Sequence, residues 1–176
     1  MPVWRRAVIL LAIGANLGNS DYPTPREACL AAVLALRALP GVTVEAVSRW
    51  FESAPVPLSD QPWYVNGVVR VRTDLSPVVL LQSLHGIERD FGRVRQERNE
   101  ARILDLDIID YDGLIQNADT AGQGGPILPH PRAAERAFVL RPILDIAPEW
   151  QHPVSGDTLA TLLRALPPGQ SIRPLS

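Results

Sequence analysis

With 176 residues, 46% of them hydrophobic and 20% charged, the chain can bury a real core and reads as one globular domain over 1–176. A formal net charge of -2 argues against wholesale binding to nucleic acid or an anionic membrane. The single Cys29 excludes a disulfide framework and fits a cytoplasmic setting, and all 17 basic residues are Arg. Without Lys there is no P-loop lysine, Schiff-base lysine or lysine base, so phosphate must be held by Arg, backbone N–H groups or metal.

Residues 7–13 are an apolar run behind Arg5-Arg6, too short to span a bilayer. A signal peptide can hold such a run, but Gly14-Ala15-Asn16-Leu17-Gly18-Asn19 reads as a turn-rich loop, so a buried central strand over 8–13 is expected. Gly14 to Gly18 lacks dinucleotide-fingerprint spacing; its expected role is a turn whose backbone can approach a ligand. Thr24-Pro25-Arg26-Glu27 is a capping box with Pro at the first helical position. The helix it starts should run to about Leu39 and bury Cys29, Leu30, Val33, Leu34 and Leu36. Residues 42–51 alternate as a second strand, 52–62 form a proline-bearing loop, and 64–73 form a third strand. Ser76-Pro77 opens a second helix with Leu80, Leu81, Leu84, Ile87 and Phe91 apolar, closed by Gly92.

Residues 93–102 have no apolar period and carry Arg93, Arg95, Arg98 and Arg102. They lead directly into Arg102-Ile103-Leu104-Asp105-Leu106-Asp107-Ile108-Ile109, which alternates with the two-residue period of a strand. Leu104, Leu106 and Ile108 share one face; Asp105 and Asp107 share the other, with Cα atoms roughly 6.6 Å apart. Carboxylates that close repel one another and lose hydration when half buried, so they demand cations. The spacing suits two hard divalent ions with oxygen ligands. The plainer alternative is a solvated edge strand with two surface acids, although Asp is depleted in strands. Arginines alone read as a solvated surface; beside the paired acids they suit a metal–polyphosphate complex.

Asp112-Gly113 is expected as a hairpin turn into 114–116. Residues 117–126 are Gly-rich, and Leu128-Pro129-His130-Pro131 is rigid and extended. A helix around 134–147 and a short one over 158–166, capped by Asp157, come next; the tail at 167–176 is expected to be loose. His130, held between prolines, is either a buried structural histidine or a phosphate-directed one. Asn66 beside Trp63 and Tyr64 offers a donor–acceptor amide next to an aromatic platform, as a planar heterocycle requires; core packing is the plainer role of those rings. The order strand, helix, strand, strand, helix, strand is that of an α+β, ferredoxin-like split-βαβ sandwich, a largely antiparallel sheet with helices packed on its faces. That fold by itself proves no function.

The first Gly loop, Asp60-Gln61-Pro62-Trp63-Tyr64-Val65-Asn66, Gly92-Arg93-Val94-Arg95, Arg102-Ile103-Leu104-Asp105-Leu106-Asp107, Leu128-Pro129-His130-Pro131-Arg132 and Arg136-Ala137-Phe138-Val139-Leu140-Arg141-Pro142 stand in order over about 7–158. In order and spacing this set resembles the successive motifs of the 6-hydroxymethyl-7,8-dihydropterin pyrophosphokinases of the folate pathway. The resemblance implies transfer of pyrophosphate from ATP to the pterin's hydroxymethyl oxygen, leaving AMP. It implies that Asp105 and Asp107 hold two Mg²⁺ ions, with Arg93 and Arg102 completing the catalytic set. ATP would meet Arg95, His130 and Arg136 at its phosphates, with Glu88 and Ile108 nearer the nucleoside. Pterin would meet Asn66 at its edge, Tyr64 and Phe138 on its faces, and the backbone of 53–56, including Ser53, Ala54 and Val56. Small-molecule substrates are the only partners it implies: no nucleic acid, membrane or obligate protein.

The chain departs from the family pattern at Asn99, Glu100, Ala101 and Ile103, where an aromatic, Gly, Pro and Thr are usual. That removes support for a stacking contact from the arginine loop and adds a negative charge near the expected phosphate path, so weaker nucleotide binding is expected of an active enzyme. Ala15 and Pro131 stand where Ser and Tyr occur. Two competing readings are a metal-dependent nucleotide-sugar transferase with its own Asp-x-Asp, and a non-catalytic ferredoxin-like RNA-binding or regulatory module. The first wants a larger α/β domain, and the second leaves the paired carboxylates unexplained.

Overall fold

Strand β1 (Ile9–Ala15) lies between β5 (Asp105–Tyr111) and β4 (Tyr64–Thr73) and pairs antiparallel with both. A strand with a neighbour on each side and a layer on each face has no solvated surface, which is why its sequence is a continuous apolar run. The computed structural model from which this is read describes residues 7–18, 20–55, 59–60, 62–92 and 103–175. The strand order is β5-β1-β4-β3-β6, where β3 is Phe51–Ser53 and β6 is Ile172–Pro174; β2 (Val42–Val47) also pairs with β4. Every one of these pairings is antiparallel.

Helices α1 (Pro25–Ala38) and α2 (Pro77–Asp90) cover one face, meeting Leu11, Ile13, Val69, Leu104, Leu106 and Ile108. On the other face α3 (Ala137–Ile146) and α4 (Leu159–Arg164) meet Leu10, Val68 and Ile109. Each fully buried Leu or Ile contributes about 1.5–3 kcal/mol, so the sheet is clamped from both sides. Thr24 and Glu27 form the expected capping box at the start of α1. Cys29 is buried beneath it, and burial pushes its thiol up to about 12. Opposite β1, Leu10 faces Asp110 and Leu11 faces Ile108, so Ile109 is the extra residue of a β-bulge. The bulge lets Ile109 and Asp110 both reach the α3 layer, where Asp110 Oδ2 accepts from Trp150 Nε1 at 2.8 Å.

Several expectations change. Leu30 and Leu34 are exposed, because Ala28 and Ala32 complete the buried stripe with Cys29, Val33 and Leu36. The single strand expected over 42–51 is two strands. Between them Ser48 replaces a backbone partner, its Oγ accepting from the Val68 N–H, and the Trp50 ring fills the space over Gly67. Asp112-Gly113 does turn the chain, with φ of 53° and 73°, but Gln116 then bridges to Leu128 rather than returning along β5. The helix around 134–147 is a 3₁₀ turn (Ala133–Glu135) and then α3, and Thr158, not Asp157, caps α4. The tail is not loose: β6 pairs antiparallel with β3 and forms the edge of the sheet.

Candidate active site

Because Leu104, Leu106 and Ile108 fill the α1/α2 layer, the alternation of β5 sends Asp105 and Asp107 to the opposite face. Their neighbours across β1 are Gly14 and Ala12, which carry almost nothing to cover them. Gly14 also pairs with Asn66 of β4. Asp105, Gly14 and Asn66 therefore form one cross-strand row, two strand spacings or about 9.6 Å from end to end. Gly14 belongs to β1 rather than to the following turn, which corrects the loop role expected for it.

Over this row opens a cavity of about 610 Å³, within the range of small-molecule sites. Its floor is Ala12, Gly14, Asn66, Asp105 and Asp107; His130, Arg136 and Phe138 line one side, and Ala54, Pro55 and Tyr64 another. Asn66 is buried, and its Nδ2 donates to Ser53 Oγ at 2.6 Å. That bond fixes the amide plane and leaves Oδ1 and the second N–H to meet a planar edge. Ser53 thus stands behind Asn66, while Ala54 lines the cavity itself.

His130 is set beside β5 by its backbone N–H, which donates to Ile109 O at 2.9 Å. Burial foremost, and then the Arg136 guanidinium, push its pKa down to about 4. At neutral pH the ring is therefore uncharged. Nδ1 accepts from the Arg132 N–H at 3.2 Å, so the ring proton sits on Nε2 and makes it a donor. Arg136 is half-buried; burial lowers its pKa, with Arg132 adding to the effect, and its guanidinium carbon lies 5.3 Å from the Phe138 ring centroid. The site thus joins acidic, cationic and aromatic groups within one cavity.

Hard carboxylate oxygens at this spacing fit Mg²⁺. Among the described residues no group of three or more His, Cys, Asp or Glu could hold a metal ion. The remaining coordination positions would fall to phosphate oxygens and water, the usual environment of Mg²⁺ beside a polyphosphate.

The family model for 7,8-dihydro-6-hydroxymethylpterin-pyrophosphokinase (HPPK) matches residues 10–148. The chain belongs to the HPPK family. It is 38% identical over 159 residues to the 2-amino-4-hydroxy-6-hydroxymethyldihydropteridine pyrophosphokinase of Pseudomonas aeruginosa, covering 90% of this chain and 91% of that one. It is 41% identical over 133 residues to the Synechocystis protein of the same name, covering 75% of this chain and 65% of that one. Against the folic acid synthesis protein fol1 of Pneumocystis carinii, 37% identical over 153 residues, it covers 87% of this chain but spans only 19% of the longer protein. The crystal structure of wild-type Plasmodium falciparum HPPK-DHPS with pteroate has the same fold, with a TM-score of 0.65 at 14% identity, over 90% of this chain and 42% of that one. No helix among the described residues is long and apolar enough to cross a membrane.

Of the residues this HPPK-family chain was expected to use, Asp105, Asp107, His130, Arg136, Ala54, Tyr64, Asn66 and Phe138 share the cavity. Arg93, Arg95, Arg102 and Val56 lie outside the described residues. Glu88 and Ile108 lie on the opposite face: Glu88 is buried with Oε2 accepting from the Leu106 N–H at 3.1 Å, and Ile108 packs in the core. Strand parity puts the Ile108 side chain on the far side from 105 and 107, and neither Glu88 nor Ile108 lines this cavity. The sequence reading missed Gly14 as floor and the tail at Pro167–Gln170 as lining. A Gly inside a strand pattern does signal close backbone approach; the tail has no comparable signal.

Proposed function

We propose that the chain transfers pyrophosphate from ATP to the hydroxymethyl group of 6-hydroxymethyl-7,8-dihydropterin, yielding AMP and the pterin diphosphate, a step in folate biosynthesis. The observation that carries this reading is the row Asp105–Gly14–Asn66, with an acidic end, an open floor and an amide end under one cavity. A flat ring held by Asn66 and flanked by Tyr64 and Phe138 would direct its hydroxymethyl arm over Gly14 toward the carboxylates.

The substrate oxygen attacks the β-phosphorus, the bond from that phosphorus to the α,β-bridging oxygen breaks, and AMP leaves with that oxygen. The hydroxyl proton passes to solvent. Two Mg²⁺ ions held through Asp105 and Asp107 would supply charge neutralisation and make the hydroxyl easier to deprotonate. His130, neutral with Nε2–H as donor, and Arg136, cationic, bind and orient phosphate oxygens; Arg93, Arg95 and Arg102 are assigned the same work. Such a transfer needs alignment and charge stabilisation more than a protein base. His130 is poorly suited to be that base, since Nδ1 is engaged and its basicity is low.

The test is AMP formation from ATP with Mg²⁺, with and without 6-hydroxymethyl-7,8-dihydropterin. Pterin-dependent AMP and a pterin diphosphate product are expected. AMP release indifferent to the pterin, or none at all, would reject the assignment. Family membership gives no support to the nucleotide-sugar transferase or to the non-catalytic binding module.

A further inference from the structure

Residues 167–175 follow the stretch matched to the family, yet Pro167, Pro168, Gly169 and Gln170 line the cavity. Gln170 spends both ends of its amide on the backbone either side of Arg136. Its Oε1 accepts from the Ala137 N–H at 2.8 Å, and its Nε2 donates to Glu135 O at 2.7 Å. Ala137 opens α3, and Arg136, the residue before it, gives that turn no side-chain cap. The Gln170 amide therefore satisfies a donor that the helix cannot satisfy itself.

The next two residues hold the other side of the cavity. Ser171 O accepts from the Ala54 N–H at 3.1 Å, and Ile172 pairs with Ser53 in the β3–β6 ladder. Three consecutive residues thus tie the side bearing Arg136 and Phe138 to the side bearing Ala54 and Pro55. No contact with substrate is needed for this segment to matter. It fixes how far apart two ligand-facing walls stand.

We propose that Gln170 is a positioning residue that sets the width of the pterin-binding end of the cavity, by clamping the backbone at 135 and 137 to the C-terminal strand; this rests on the pyrophosphokinase reading above. Loss of the clamp frees the Arg136–Phe138 segment while leaving both cores in place. A role confined to stability would lower the melting temperature and leave the kinetics of the folded enzyme unchanged.

The test is steady-state kinetics and thermal unfolding of the full chain carrying Gln170→Met, which keeps length but makes neither hydrogen bond, or Gln170→Glu, which keeps only the acceptor for Ala137. For Gln170→Met the KM for 6-hydroxymethyl-7,8-dihydropterin should rise roughly tenfold, the order expected for two lost hydrogen bonds. The KM for ATP should rise less than that for the pterin, because Arg136 is one of several proposed phosphate contacts and only it lies in the freed segment. Gln170→Glu, which sets a carboxylate oxygen against the Glu135 carbonyl, should raise the pterin KM as well. A pterin KM within about twofold of the unsubstituted chain in the folded variants would overturn the proposal. So would a loss confined to kcat. If Gln170→Met fails to fold, Gln170→Glu decides by the same criterion. Failure of the unsubstituted chain to make AMP in response to the pterin is a separate result: it rejects the functional reading, and this proposal with it.

Discussion

Gly14 lies directly across the β1–β4 ladder from Asn66, and a Cβ on Gly14 would stand 3.0 Å from Asn66 Oδ1. The amide cannot yield easily, because its Nδ2 is bound to Ser53 Oγ at 2.6 Å. Gly14→Ala should therefore separate stability from recognition. In a strand interior Ala is favoured over Gly by roughly 0.5–1 kcal/mol, and straining or losing the Asn66–Ser53 bond costs a comparable ~0.5–1.5 kcal/mol, so the melting temperature should change little. The KM for the pterin should nevertheless increase by roughly tenfold, as a displaced amide loses hydrogen bonds to the ring edge. Parallel melting and kinetic measurements check this. Equal losses of stability and binding would mean that the methyl group disturbs the sheet rather than Asn66.

Asp105→Asn and Asp107→Asn keep the volume and strand position of each side chain while removing a charge assigned to Mg²⁺. Each should reduce turnover on the order of 100-fold or more, with an unfolding transition close to that of the unsubstituted chain. The Mg²⁺ concentration needed for half-maximal rate should rise as well. Turnover near normal in either variant would contradict the role of that carboxylate. The two replacements should not add, since both act on one bound complex.

The acidic strand was legible because its period of two puts 105 and 107 on one face whatever the rest of the chain does. Asn66 was legible for a weaker reason, an amide beside aromatic residues; Ser53 was expected to meet the pterin through its backbone, but its side-chain bond to Asn66 was not legible, since it joins two strands 13 positions apart. The misassigned helix side chains Leu30 and Leu34 show the limit of apolar counting: two small alanines, not two leucines, let α1 approach the sheet. The tail was illegible for a related reason. Ile172–Pro174 is short, and it is ordered by backbone pairing with β3 and by the neighbouring Gln170 amide, neither of which leaves a hydrophobic period.

Acid should weaken the folded protein through His130. Its ring is held neutral down to about 4 in the fold, whereas an unfolded histidine takes up its proton near 6.5. Between those values the unfolded state binds more protons, so stability rises with pH and falls on acidification through the same window. His130→Asn places an uncharged acceptor where Nδ1 receives the Arg132 N–H, and should remove this component of the slope. His152, whose pKa burial also lowers, contributes in the same direction in both proteins, so the difference between them isolates position 130. Urea unfolding without nucleotide at pH 7, 5.5 and about 4.5 measures it. The unsubstituted chain should lose more stability than His130→Asn across that range; identical slopes would mean that the buried ring accepts its proton as readily as a free one, and His130 would then approach the phosphates as a cation.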